Sequence, residues 1–129
     1  MWEPNEREED ARRRSIYSFQ RRSLPLPLMA SFDATPFSES CERRSSTTTP
    51  LQALSMMNGT LVQEEAEHLA VRIRKEVGAE RSLQIQKAFE IALGRLPEPG
   101  ELQKFSMFDG PLASICLVLL NSNEFLYLE

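Results

Sequence analysis

The chain has 129 residues, 41% hydrophobic and 26% charged, with a formal net charge of -4. That length suits one domain burying about two thirds of its unfolded surface, and the acidic balance argues against general nucleic-acid binding. No apolar run approaches the ~20 residues of a membrane span, and two cysteines, Cys41 and Cys116, are too few for a metal cage or a disulfide-dense scaffold.

Residues 1–14 set an acidic block, Glu6 to Asp10, against a basic one, Arg12 to Arg14. They read as a frayed or solvated lead-in segment. Met1 to Asp10 lack the apolar core of a signal peptide, so the sequence as it stands offers no export route. The remainder, 15–129, is expected to form a single helical domain. Ser15 to Arg22 fit both a strand and a helix period. Ser23-Leu24-Pro25-Leu26-Pro27-Leu28 alternates leucine with proline, which fixes φ and predicts an extended, polyproline-like arm laid over the helices. Met29 to Glu39 reads as loop, rich in turn formers such as Asp33 and Pro36.

Thr49-Pro50-Leu51-Gln52 is a capping box with proline at the first helical position. It predicts a helix from Pro50 to about Met57, with Leu51, Leu54 and Met57 on one face and left-handed Asn58-Gly59 as its stop. Thr60-x-x-Gln63 repeats the box and opens a second helix, to Val77, with the apolar stripe Val62, Ala66, Leu69, Ala70, Ile73 and Val77. Gly78 ends it. Ser82 is expected to cap a third helix whose Ile85, Ala88, Phe89, Ala92 and Leu93 share a face, closed by Gly94. Pro97 to Gly100 is a loop before a short helix carrying Leu102, Phe105 and Phe108. Leu112 to Leu120, apolar nearly all round, reads as a fully buried helix, and Glu124 to Leu128 closes against the core. The fold class is mainly α: a small bundle of four to five short helices from Pro50 onward, with an extended Pro-rich N-terminal arm.

Candidate chemistry is sparse. His68, the only histidine, sits one position off its helix's stripe and has no neighbouring His or Cys to make a base or a metal site with it; it reads as a boundary or surface residue. No metal ligand set is present. Arg43 and Arg44, with Arg21 and Arg22, form a candidate anion- or partner-binding set, because a planar guanidinium suits carboxylates and phosphates. Asp33, Glu39 and Glu42 are acids that could pair with these arginines instead. Convergence of Arg43, Arg44, Asp33 and Glu42 on an open pocket would favour an enzyme part, and mutual pairing would disfavour it. Cys41 and Cys116 are a candidate disulfide in an oxidising compartment, or else Cys116 is a small hydrophobe on its apolar helix. There is no Cys-x-x-Cys-His, no phosphate-binding glycine loop, no His-Glu-x-x-His and no Gly-x-Ser-x-Gly, and no catalytic residue is assigned.

Several long strings carry a family resemblance: Arg13 to Leu28, Phe32-Asp33-Ala34, Ser40 to Arg44, Thr49 to Asn58, Ala88 to Arg95 and Leu119 to Tyr127. Through them the chain resembles the C-terminal domain of unknown function of large, cytochrome-associated proteins of planctomycete bacteria. The resemblance implies a non-catalytic structural or interaction module, the C-terminal part of a larger family domain. The alternative it leaves open is the C-terminal part of an enzyme whose active site forms with a missing upstream domain. It implies no cofactor on this chain, with haem c on the upstream domain. Partners would be that upstream domain or a second copy, and such relatives are typically exported to the periplasm or cell surface. Thr35 stands before Pro36 where such proteins tend to read Phe-Asp-Ala-Pro.

Overall fold

The structure, a computed structural model, describes residues 27–34, 47 and 49–127. It divides into two compact units, Met1–Thr49 and Pro50–Glu129. Among the described residues there are seven helices and no strand.

In the first unit, α1 spans Pro27–Ser31. This corrects the expectation at Pro27 and Leu28, read as the end of the extended arm, and at Met29 to Ser31, read as loop. Pro27 stands at the first helical position, where its fixed φ is already helical and its missing N–H costs nothing, and Leu28, Met29 and Ala30 are good helix formers. Asp33 then turns the chain with φ 54°, a left-handed conformation that aspartate tolerates. Its Oδ2 accepts from the Thr47 backbone N–H at 2.8 Å and from the Thr47 hydroxyl at 2.6 Å. The rest of the expected arm, with Tyr17, Phe19, Leu24 and Leu26, lies outside the described residues.

The second unit contains α2 Pro50–Asn58, α3 Thr60–Val77, α4 Arg81–Leu93, α5 Pro99–Met107, α6 Leu112–Leu120 and α7 Asn123–Leu126. Its core is the meeting of α3, α4 and α6. Ala66, Ala70 and Ile73 from α3, Ile85, Ala88 and Phe89 from α4, and Leu112, Ile115, Cys116 and Leu119 from α6 are buried together. Helix α2 packs on α3, α5 packs on α4, and α7 rests on α4 and α6. Two glycines with positive φ, Gly78 at 78° and Gly94 at 70°, end α3 and α4 as expected. The carbonyl of Gly78 accepts from the buried Gln84 side chain at 2.6 Å, so the α3–α4 turn is pinned from inside α4.

Helix positions follow the sequence closely; the N-caps of α3 and α4 do not. The N-cap of α3 is Gly59, not Thr60, and it is extended at φ -66° and ψ 128° rather than left-handed. Gln63 donates its side-chain amide to the Met57 carbonyl at 3.4 Å, tying back to the end of α2 instead of closing a box with Thr60. Gly59 is thus a one-residue joint, and a Cβ there would collide with the backbone carbonyl of Ser55. Ser82 is inside α4, whose N-cap is Glu80, and its hydroxyl donates to the Glu80 carboxylate at 2.7 Å.

Burial also departs from expectation at three places. The face of Leu51, Leu54 and Met57 on α2 is exposed, and Gln52 is the buried residue of that helix. Helix α6 is not buried all round: Val118 is 56% exposed, because α3 and α4 cover only one side of it. Phe125 and Tyr127 stay exposed at the chain's end rather than entering the core, since the four-residue α7 is too short to carry both inward.

Truncating Ile115 to alanine should cost about 2–5 kcal/mol, the range for a large apolar side chain removed from a packed core, read as a lowered denaturant midpoint at unchanged slope. Gly59→Ala should cost about 1–3 kcal/mol, since the added methyl meets backbone that cannot step aside. An unaltered midpoint in equilibrium unfolding would remove the one-residue joint from the picture.

Candidate functional site

Of the residues singled out in the sequence, Arg21, Arg22, Cys41, Arg43 and Arg44 lie outside the described residues, as does Glu42. The carboxylate of Asp33 is held below its ordinary pKa by the hydroxyl and then the amide of Thr47. Cys116 is buried, and desolvation pushes its thiol up to about 11. A thiol in that state is a packing group, not a nucleophile. The expected pairing with Cys41 falls outside the described residues. His68 is on the exposed side of α3. No group of three His, Cys, Asp or Glu among the described residues could hold a metal ion. Among them, no helix is long and apolar enough to cross a membrane.

The structure assembles two features that the sequence reading missed. The first is centred on Arg95, which follows the Gly94 turn. Its Nη1 and Nη2 donate to Glu101 at 2.8 and 2.9 Å. Its Nε and Nη2 donate to Glu124 at 2.6 and 2.9 Å, and Nη1 also reaches the Leu96 carbonyl at 3.1 Å. These bonds use all five N–H groups of the guanidinium, two carboxylates being gripped in the bidentate geometry that arginine favours.

Helix α5 begins in the same cluster. Glu98 is its N-cap and Pro99 its first residue, and the Glu101 carboxylate accepts from the Glu98 backbone N–H at 2.8 Å. Arg95, then that amide, hold the Glu101 carboxyl down to about 2 from 4.5. Hydrogen bonding to Arg95 likewise lowers Glu124 and raises the guanidinium. Glu124 is on α7, so one side chain fastens the α4–α5 loop, the start of α5 and the last helix. The three side chains are a third to nearly half exposed. Water therefore screens the charges, and the cluster acts through geometry more than through net attraction.

The second feature is an apolar groove of about 270 Å³ between α5 and α6, lined by Lys104, Phe105, Phe108, Ser114, Ile115 and Val118. It is connected to the first through aromatic rings. The Arg95 guanidinium carbon stands 5.4 Å from the centre of the Phe89 ring, and Phe89 meets Phe105 edge-on at 5.4 Å and 77°. Its mouth is held from α4. Arg81 donates from Nη2 to the carbonyls of Phe108 at 3.3 Å and Gly110 at 2.8 Å. The Phe108 ring lies so close over Gly110 that a Cβ there would collide with it. Arg81 thus holds the Phe108 backbone while the residue remains 44% exposed.

A signal for half of the Arg95 cluster is present in Glu98-Pro99-Gly100-Glu101, which has the spacing of a capping box with proline at its first helical position. Glu124, 29 residues from Arg95, has no local signal. Neither does the groove, whose Phe105 and Ile115 read simply as core.

The described architecture is that of a small all-helical domain. The chain belongs to the family PSD1, protein of unknown function (DUF1553), whose family model matches residues 1–108. It is thus a domain of unknown function, as the resemblance in its sequence strings implied. No curated protein and no solved structure matches the chain.

The Arg95 cluster predicts a definite acid response. Both glutamates have depressed folded-state pKa values, so their contribution is complete above the unfolded value. That of Glu101 is lost as pH falls from 4.5 towards about 2, and that of Glu124 as pH falls below 4.5. Wild-type thermal midpoints should decline more steeply across that window than those of Arg95→Gln. Parallel declines would show that Arg95 does not control the titration.

Proposed function

We propose that this chain is a non-catalytic interaction module that docks a partner's apolar side chains in the α5–α6 groove. The carrying observation is the groove itself: an open apolar site whose wall, Phe108, is set in place before any partner arrives, by Arg81 and by the close fit on Gly110. A wall already ordered lowers the entropy cost of binding. The lining offers one cation, Lys104, and one hydroxyl, Ser114. That composition suits an apolar side chain flanked by an acidic group better than a substrate needing paired acid and base.

The sequence strings support a particular setting for this module. It would be the C-terminal part of an exported, cytochrome-associated protein of planctomycete type, with haem c on an upstream domain. The partner would then be that upstream domain or a second copy of the chain.

The reading is tested by titrating the purified chain with the apolar anion 1-anilinonaphthalene-8-sulfonate, followed by amide NMR shifts. Shifts should concentrate at residues 104–108 and 114–118 and vanish in Val118→Glu. Shifts confined to the exposed face of α2, or surviving that substitution at full size, would overturn it.

A further inference from the structure

Helix α5 is held more by polar bonds at its ends than by burial along its length. None of its nine residues is buried. It lays two half-buried apolar side chains, Leu102 and Phe105, against the core. By contrast, α4 buries Gln84, Ile85, Ala88 and Phe89, and α6 buries Leu112, Ile115, Cys116 and Leu119. At the start of α5, Arg95 grips Glu101. At its end, Arg81 donates to the carbonyls of Phe108 and Gly110, just beyond Met107. The two arginines stand at opposite ends of α4, Arg81 as its first residue and Arg95 shortly after its last.

Elements with few buried apolar contacts open at the lowest free energy, and they do so as cooperative units. A nine-residue helix is also shorter than the ~12–15 residues that an isolated helix needs in water. Once off α4, therefore, α5 melts instead of swinging out whole. We propose that α5 is a latched lid on the groove. It opens as a unit separate from the core, Arg95 and Arg81 hold its two ends down, and an occupant of the groove keeps it shut.

The division of the groove between its two walls gives the lid its consequence. Lys104 and Phe105 come from α5, and Phe108 follows it directly. Ser114, Ile115 and Val118 come from α6, which is anchored in the core. An occupant meets both walls only while α5 is in place, so occupancy and closure are linked, and each favours the other. Helix α7 also has no buried residue, but it lines no part of the groove. The occupant's part in this rests on the docking reading above; the separate opening of α5 rests on its own burial and bonds.

The test is native-state hydrogen exchange of the full chain, read amide by amide by NMR in sub-denaturing urea. Amides of Leu102 to Met107 should exchange ~10-fold or more faster than those of Ile85, Phe89, Ile115 and Cys116. Their urea dependence should be smaller, because a local opening exposes less surface. Arg81→Gln and Arg95→Gln should each speed the α5 amides ~3-fold or more and leave the core amides unchanged. In wild type, 1-anilinonaphthalene-8-sulfonate at ten times its dissociation constant should slow the α5 amides ~10-fold. Amides of α5 that exchange in step with the core, at equal urea dependence, overturn the inference. So do arginine variants that speed every helix alike or leave α5 unchanged. If that happens while the probe still shifts groove residues, the docking reading stands and only the lid fails. A probe that shifts groove residues without slowing α5 breaks the link between occupancy and closure, and so overturns the lid as well. If α5 opens separately under control of both arginines but the probe shifts no groove residue, the docking reading fails and the latched opening stands.

Discussion

The distance between α3 and α6 governs the second unit. Ala66 and Ala70 stand one turn apart on α3, and a methyl at each lets α6 lie close against the helix. The larger side chains are then supplied by α6 and α4: Leu112, Ile115 and Leu119 from one, Ile85 and Phe89 from the other. Interiors of this density leave little room for added volume. With α6 fixed on α3, α4 closes the third side, and α5 and α7 take their places from α4. The groove follows from the same order. Helix α5 packs on α4 and not along α6, so the outer side of α6 stays uncovered around Val118.

Arg95 does for the periphery what the alanines do for the centre. It lies just beyond the left-handed Gly94 and reaches two carboxylates on different helices, while its flat face meets Phe89. The same guanidinium thus meets the buried ring of Phe89 and the partly exposed acids. Arg81 has a comparable part at the groove mouth, binding backbone carbonyls in place of acids. In both cases a residue at an end of α4 holds a later segment, so α4 is the element from which the C-terminal third is positioned.

The helices of the second unit were legible in the sequence because their signals are local and redundant. Helix α3 has a stripe at helical spacing and a terminal glycine, and its bounds fall where those signals put them. Helix α6 was located by an apolar run between Pro111 and Asn121. Caps were harder to read. Thr60 and Ser82 have the right side chains, but Gly59 and Glu80 take the N-cap positions, because cap identity depends on where the preceding helix releases the chain. Pro27 misled in another way. Proline after leucine suggests extension, yet the same fixed φ opens a helix when helix formers follow. The Arg95 cluster and the groove depend on residues far apart in the chain. A hydrophobic pattern cannot distinguish Phe105 as core from Phe105 as a wall.

The single glycine between α2 and α3 leaves the two helices no slack in phase. Each residue added to or removed from α2 would turn its outer face by about 100° about the helix axis. Leu51, Leu54 and Met57 keep their present direction relative to α3 only at their present spacing from Gly59. Descendant sequences can thus vary in side chain along the exposed face of α2, but the number of residues between Pro50 and Gly59 is under a stricter rule. The turns after Val77 and Leu93 are constrained in length for a different reason, since Gln84 must reach the Gly78 carbonyl and Arg95 must reach Glu101 and Glu124.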